Sequence, residues 1–194
     1  MILLGSASPR RKELFERLHV PFTTDAVDID ENGLLAGIAD PEAAVLAVCR
    51  AKMDALLIKG YPASLLAVTA DTIVVHGDSK LGKPVDTADA RSMISLLSGV
   101  THKVITAVCT AKDGQRHDFT EITEVDFSML NDKEIERYLS RNDHADKAGA
   151  YGIQGYGAFL IQAIRGDYYN VVGFPMNRFI REVKRVYAID LFCI

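Results

Sequence analysis

Ser6-Ala7-Ser8-Pro9-Arg10-Arg11 places two hydroxyls and two guanidiniums in one short run. It follows the apolar residues 1–4 and Gly5, and Ser8-Pro9 reads as a helix N-cap with proline at the first helical position. A strand that turns through small residues into a helix presents unpaired backbone N–H groups at the positive end of the helix dipole, where anions bind. Arginine donates in a fork that matches phosphate oxygens, and two cations at a helix N-terminus oppose the dipole unless an anion joins them. Phosphate binding is the chemistry this run points to; an N-cap serine followed by two solvated arginines is the competing reading. The run is not a Walker loop, which needs GxxxxGK[ST].

Asp71-Thr72 interrupts two apolar segments, residues 65–68 and 73–75. A carboxylate inside such a segment is costly to bury unless it is paired or binds a cation; otherwise it sits at a strand end in solvent. Asp28, Asp30 and Glu31 form a second acidic group in a predicted loop, a solvated face unless it joins Asp71 around Mg²⁺. That ion takes one or two carboxylates and completes its shell with substrate phosphates. Lys52 falls on a predicted helix, whereas Lys83 in Gly82-Lys83-Pro84 and Lys147 in Asp146-Lys147-Ala148-Gly149-Ala150-Tyr151 fall in short loops able to approach a ligand. Gly149, Gly152, Gly155 and Gly157 surround Tyr151 and Gln154. Gln154 carries both a donor and an acceptor, which suits the edge of a base; a tight turn is the alternative. The five histidines, at 19, 76, 102, 117 and 144, have no metal-ligand spacing and read as structural. No GxSxG nucleophile elbow is present.

The elements that must position these groups follow from local signals. Residues 1–4 read as a buried strand, followed by a helix with Leu14, Phe15 and Leu18 on one face. Asp40-Pro41 starts a second helix to about Ile58. Residues 65–68 and 72–75 are one strand or two joined pieces, with a turn at Gly77-Asp78. Thr87 is expected to cap a helix that Gly99 stops, and residues 104–110 and 119–127 form a hairpin around Asp113-Gly114. Asn131 with Glu134 resembles a capping box, residues 158–164 read as a strand, and Pro175 opens the last helix. Interleaved helices and strands with a hairpin give an α/β or α+β class with a mixed sheet.

Composition bounds the rest. At 194 residues, 48% hydrophobic and 25% charged, the chain is expected to fold as one soluble domain over residues 1–194. Lys+Arg 22 against Asp+Glu 26 gives a net charge of −4 and pI near 5.7, which argues against general affinity for nucleic-acid polymers or anionic membranes. Any polyanion needs a local site. Cys49, Cys109 and Cys193 are odd in number and form no CxxC pair, which disfavours a disulfide framework or a zinc knuckle. No signal peptide is read at the N-terminus and no apolar run approaches the ~20 residues of a membrane span, so a cytoplasmic location is expected. The apolar tail Leu191-Phe192-Cys193-Ile194 packs either on the core or on a partner.

Taken in order, the Ser6 to Arg11 run, Asp30-Glu31, Ala51-Lys52, Ala70-Asp71-Thr72-Ile73-Val74, Gly82-Lys83-Pro84 and Ser98-Gly99-Val100-Thr101-His102 resemble the Maf family of nucleoside triphosphate pyrophosphatases. The resemblance continues through Asp146-Lys147-Ala148-Gly149-Ala150-Tyr151-Gly152-Ile153-Gln154-Gly155 and Gly166-Asp167-Tyr168-Tyr169-Asn170-Val171-Val172-Gly173, and covers residues 2–186. It implies a cytoplasmic enzyme that hydrolyses a nucleoside triphosphate to the monophosphate and pyrophosphate with a divalent metal, Mg²⁺ or Mn²⁺. It also implies an elongated α/β fold: a mixed, bent sheet with flanking helices, two lobes around a cleft, related to the inosine triphosphatase fold and homodimeric. The branch it is most similar to favours dTTP and UTP, with modified pyrimidine nucleotides as further substrates. The family's catalytic base falls on Asp71 and its specificity positions on Arg10, Thr72 and Gln154. By the same resemblance Glu31 and Asp71 hold the metal, while Ser6, Ser8, Arg10, Arg11, Lys52, Lys83 and Lys147 hold the substrate. A cell-division regulator that binds without catalysis is the alternative from another class. Two departures stand out: Asn142-Asp143 where the family usually has Gly-Glu, and the atypical stretch 32–48.

Overall fold

In a computed structural model, which describes residues 1–192, the apolar N-terminal run forms strand β1 (Ile2–Leu4), buried throughout. It pairs in parallel with β2 (Phe22–Thr24) and β3 (Leu66–His76), so Leu4 lies beside Thr24 on one side and Val68 on the other. A strand flanked in parallel and covered on both faces reads as continuously apolar, not alternating. Helix α1 (Pro9–Glu16) links β1 to β2, and Ser8 caps it by accepting from the Arg11 N–H.

Between β2 and β3 lie α2 (Glu31–Gly37) and α3 (Pro41–Ile58), capped by Asp30 and Asp40, whose carboxylates accept from Gly33 N–H and Ala43 N–H. The short helix α2 corrects the loop expected around the acidic residues: Asp30 supplies the cap that starts it. The two apolar runs around Asp71 are one strand, β3, and β4 (Ser79–Leu81) folds back on its end with Val74 opposite Leu81. Helix α4 (Thr87–Leu97) is capped by Asp86, not Thr87, because the Asp86 carboxylate reaches the Asp89 N–H. Strands β5 (Thr101–Lys112) and β6 (Gln115–Phe127) meet at Asp113-Gly114, both at positive φ, as a two-residue hairpin turn requires.

Helix α5 (Asp132–Leu139) carries the full Asn131/Glu134 capping box. The strand expected from residue 158 begins later, as β7 (Ile161–Arg165), because Gly155–Leu160 winds into a 3₁₀ turn first. Helices α6 (Tyr168–Val172) and α7 (Met176–Tyr187) follow, Pro175 lying just before α7. The strands form one seven-stranded mixed sheet in the order β2-β1-β3-β5-β6-β7, with β4 on β3, and helices flank it, as the α/β expectation had it.

The chain divides into two compact units. One holds Met1–Asp71, Thr106–Glu121 and the stretch from Gly173 onward; the other holds Thr72–Ile105 and Ile122–Val172. In the first, the Phe15 ring meets Phe174 edge-on at 5.0 Å and leans on Phe22 and Phe179. In the second, Ala90, Ile94 and Leu97 of α4 and Ile135 and Tyr138 of α5 pack on Val74, Val104 and Val125. Cys49 and Cys109 are free and buried. Leu191 is buried and Phe192 is exposed, while Cys193 and Ile194 lie outside the described residues. Among the described residues no helix is long and apolar enough to cross a membrane.

Candidate active site

In the first unit the site is built on β3 and α3. Asp71 is buried, and the carboxylate is met by Lys52, which shares the inward face of α3 with Cys49, Met53 and Leu56. Lys52 Nζ lies 2.6 Å from Asp71 Oδ1 and 2.7 Å from Glu31 Oε1, so one ammonium joins both acids singled out in the sequence. Glu31 is carried there by α2, at its first residue.

The two arginines differ. Arg10 is half-buried, whereas Arg11 is buried and donates from Nε to Gly173 O and from Nη1 to Ala70 O, each at 2.8 Å. Ala70 precedes Asp71, so Arg11 fixes the backbone that carries the carboxylate. Ser6 Oγ accepts from the Ser8 N–H at 3.2 Å and from Arg11 Nη1 at 3.5 Å, which ties the small-residue turn to the same guanidinium. Burial pushes the Asp71 carboxyl above the ordinary aspartate range although Lys52 and Arg11 pull it down. Burial likewise lowers Arg11, with Asp71 opposing.

In the second unit Thr72 follows Asp71 on β3 and is half-buried. Lys83 is exposed, in the loop after β4. That loop is pinned to the glycine-rich segment by the Gly149 N–H, which donates to Gly82 O at 3.0 Å. Lys147 is buried and donates to Asp143 at 2.7 Å and Asp146 at 2.8 Å. Sequence reasoning did not find these partners, although Asp143 and Lys147 at i, i+4 were the available signal. Gln154 is half-buried at the start of the Gly155–Leu160 turn.

Glycine is required in this segment for reasons of space. Gly149 is left-handed at φ 66° and lies against Val74, where an added Cβ would come within 2.9 Å. At Gly157 an added Cβ would sit 2.3 Å from Gly152 O and 3.0 Å from Gly152 N, both backbone atoms that cannot swing aside. Gly157→Ala is therefore expected to destabilise the fold by about 2 kcal/mol, an ordinary overpacking cost, read as a lower urea midpoint at unchanged m-value.

A profile of the Maf-like protein family matches residues 1–186. This chain belongs to that family. Among curated Maf-like relatives, a "dTTP/UTP pyrophosphatase" from Halalkalibacterium halodurans is 46% identical over 94% of this chain and 94% of its own length. Proteins of the same name from Bacillus cytotoxicus and Bacillus cereus are 42% and 41% identical, covering 94% and 95% of this chain and 94% of their own lengths.

Among the described residues no cluster of three or more His, Cys, Asp or Glu could hold an ion by itself. Glu31 and Asp71 nevertheless offer carboxylate oxygens gathered on one cation, Lys52. Two carboxylates are what Mg²⁺ uses when phosphate oxygens complete its shell.

Proposed function

We propose that this Maf-like protein hydrolyses dTTP and UTP to the monophosphate and pyrophosphate, a nucleotide-pool housecleaning reaction, with modified pyrimidine nucleotides as further substrates. The observation that carries the reading is the buried Asp71 carboxylate paired with Lys52 and, through it, with Glu31. The names of the relatives supply the substrate. A cytoplasmic location and a homodimer belong to the same proposal.

In this reading the Ser6/Ser8 turn, Arg10, Arg11 and Lys52 hold the triphosphate, and Lys83 and Lys147 are substrate cations by the family resemblance. A Mg²⁺ or Mn²⁺ ion bound by Glu31 and Asp71 would supply neutralising charge to the phosphate oxygens. Asp71 accepts the proton of a water whose oxygen bonds to the α-phosphorus. The α-phosphorus to bridging-oxygen bond opposite it then breaks, and pyrophosphate leaves with that electron pair. Burial favours this role, because a carboxylate with a raised pKa is the stronger base. Positioning and charge neutralisation do most of the rest. Thr72 and Gln154 read the keto-imide edge of uracil or thymine, which cytosine lacks.

The test is to incubate the purified protein with dTTP, UTP and CTP in Mg²⁺ and to separate pyrophosphate from orthophosphate. Equal amounts of monophosphate and pyrophosphate from dTTP and UTP are expected, with the reaction stopped by a chelator. Orthophosphate alone would identify a phosphatase, and no product would favour a binding regulator; either result overturns the proposal.

A further inference from the structure

His102, near the start of β5, is 2% exposed, and the mechanism above does not use it. Its ring stands edge-on to Phe127 at 4.9 Å and to Tyr151 at 5.4 Å, and Phe127 stands edge-on to Tyr151 at 4.6 Å. For packing alone a phenylalanine would serve at this position without burying ring nitrogens. The imidazole does bury them: Nδ1 has no hydrogen-bond partner among the described residues, which is a cost, while Nε2 lies 2.7 Å from the Tyr151 hydroxyl. The contact at Nε2 is therefore the one thing the histidine adds.

Tyr151 belongs to the segment that carries Lys147 and Gln154. That segment is strained: Ala150 has a positive φ of 61° directly after Gly149 at 66°. A non-glycine residue holds such a conformation only when its surroundings over-determine it. Three successive residues supply the constraint. The Gly149 N–H is bound to Gly82 O, Ala150 O accepts from the Tyr138 hydroxyl at 3.0 Å, and the Tyr151 hydroxyl meets His102. Burial raises the Tyr151 phenol and holds His102 down at about 4, so both are neutral at pH 7 and the contact is a neutral hydrogen bond.

We propose that His102 is a positioning residue: through Nε2 and the Tyr151 hydroxyl it fixes residues 149–154 and thereby the places of Lys147 and Gln154. The consequence for the nucleotide rests on the function proposed above; the consequence for the segment does not. Removing the contact loosens the groups assigned to phosphate and base before chemistry begins, so it weakens binding and leaves the attack at phosphorus intact.

The experiment uses the full chain with His102→Phe, Tyr151→Phe, the double variant, His102→Gln and His102→Asn. The readouts are steady-state pyrophosphate release from dTTP and UTP in Mg²⁺ and amide hydrogen exchange across residues 147–155 without substrate. Each phenylalanine variant is expected to raise KM about five- to tenfold with kcat within about twofold, and the double variant to be no worse than either. Exchange at residues 149–154 should quicken in the same variants. Glutamine, whose amide reaches the place of Nε2, should restore both readouts, and asparagine, whose amide stops near Nδ1, should not. Unchanged KM and exchange in Tyr151→Phe, which removes one oxygen and spares the fold, overturn the proposal. Glutamine as impaired as phenylalanine overturns it too, since the ring would then be core filling alone. Should the wild type release no pyrophosphate, the functional reading fails and the exchange data decide the positioning role: faster exchange in Tyr151→Phe supports it and unchanged exchange overturns it.

Discussion

Asp71→Asn is expected to lower pyrophosphate release from dTTP and UTP by about 10³-fold, the middle of the range of a general base's contribution, with KM changed far less. The amide keeps the size of the carboxylate and can still accept from Lys52 Nζ, so the geometry around Ala70 and Arg11 survives. What is lost is the proton acceptor and one anionic oxygen. The same substitution is expected to leave the metal-free protein at least as stable at pH 7. Burial raises the folded-state pKa of Asp71 above its ordinary 3.8. A group shifted in that direction contributes stability fully below the unfolded pKa and loses it as pH rises through the folded pKa, so the cost of the buried anion grows with rising pH. Asparagine never ionises and avoids that cost. Single-turnover product analysis and thermal melts in chelator check both halves. An active Asn variant would remove Asp71 from the base role, and an inactive but unfolded one would reduce it to a structural carboxylate.

How much of this could be read from the chain depends on the range of the interaction. Ser8-Pro9, Asp40-Pro41, Asn131 with Glu134, and Asp113-Gly114 declare their structures because each signal is complete within four residues. Strand β2 declares nothing: Phe22–Thr24 is mostly exposed and exists because β1 offers it an edge. Gly155–Leu160 winds into a 3₁₀ turn where a strand was expected, and its Gly157 packs on the Gly152 backbone, a requirement no alternation of side chains encodes. The site divides the same way. Asp71 stands out as a carboxylate inside an apolar run, but its pairing with Lys52 spans 19 residues and joins two elements, α3 and β3. Arg10 and Arg11 look equivalent in sequence; the backbone carbonyls of Gly173 and Ala70, both bound by Arg11 and both distant in the chain, separate them. His102 and Tyr151 lie 49 residues apart, and neither residue type announces the other.

The second large effect concerns the ammonium that links the acids. Lys52→Met is expected to destabilise the protein by about 3 kcal/mol at pH 7, the cost of stranding one member of a buried ion pair. Methionine occupies much of the lysine stem, so the loss is electrostatic and not a cavity. Asp71 keeps Arg11 as a nearby cation, but Arg11 is already committed to Gly173 O and Ala70 O, and Glu31 on its more exposed helix turns toward solvent. The remaining penalty therefore belongs mainly to Asp71. Adding Asp71→Asn to Lys52→Met should restore most of the stability, with the double-mutant cycle departing from additivity by more than about 1 kcal/mol. It should not restore hydrolysis. The penalty of Lys52→Met should also shrink as pH falls, because without Lys52 the Asp71 pKa rises further and its protonation removes the stranded charge. Urea denaturation of the four proteins at pH 7 and pH 5 reads all of this at once. Additive losses with no pH dependence would mean that Lys52 stabilises through its packed stem, and that Asp71 does not depend on it as a counter-ion.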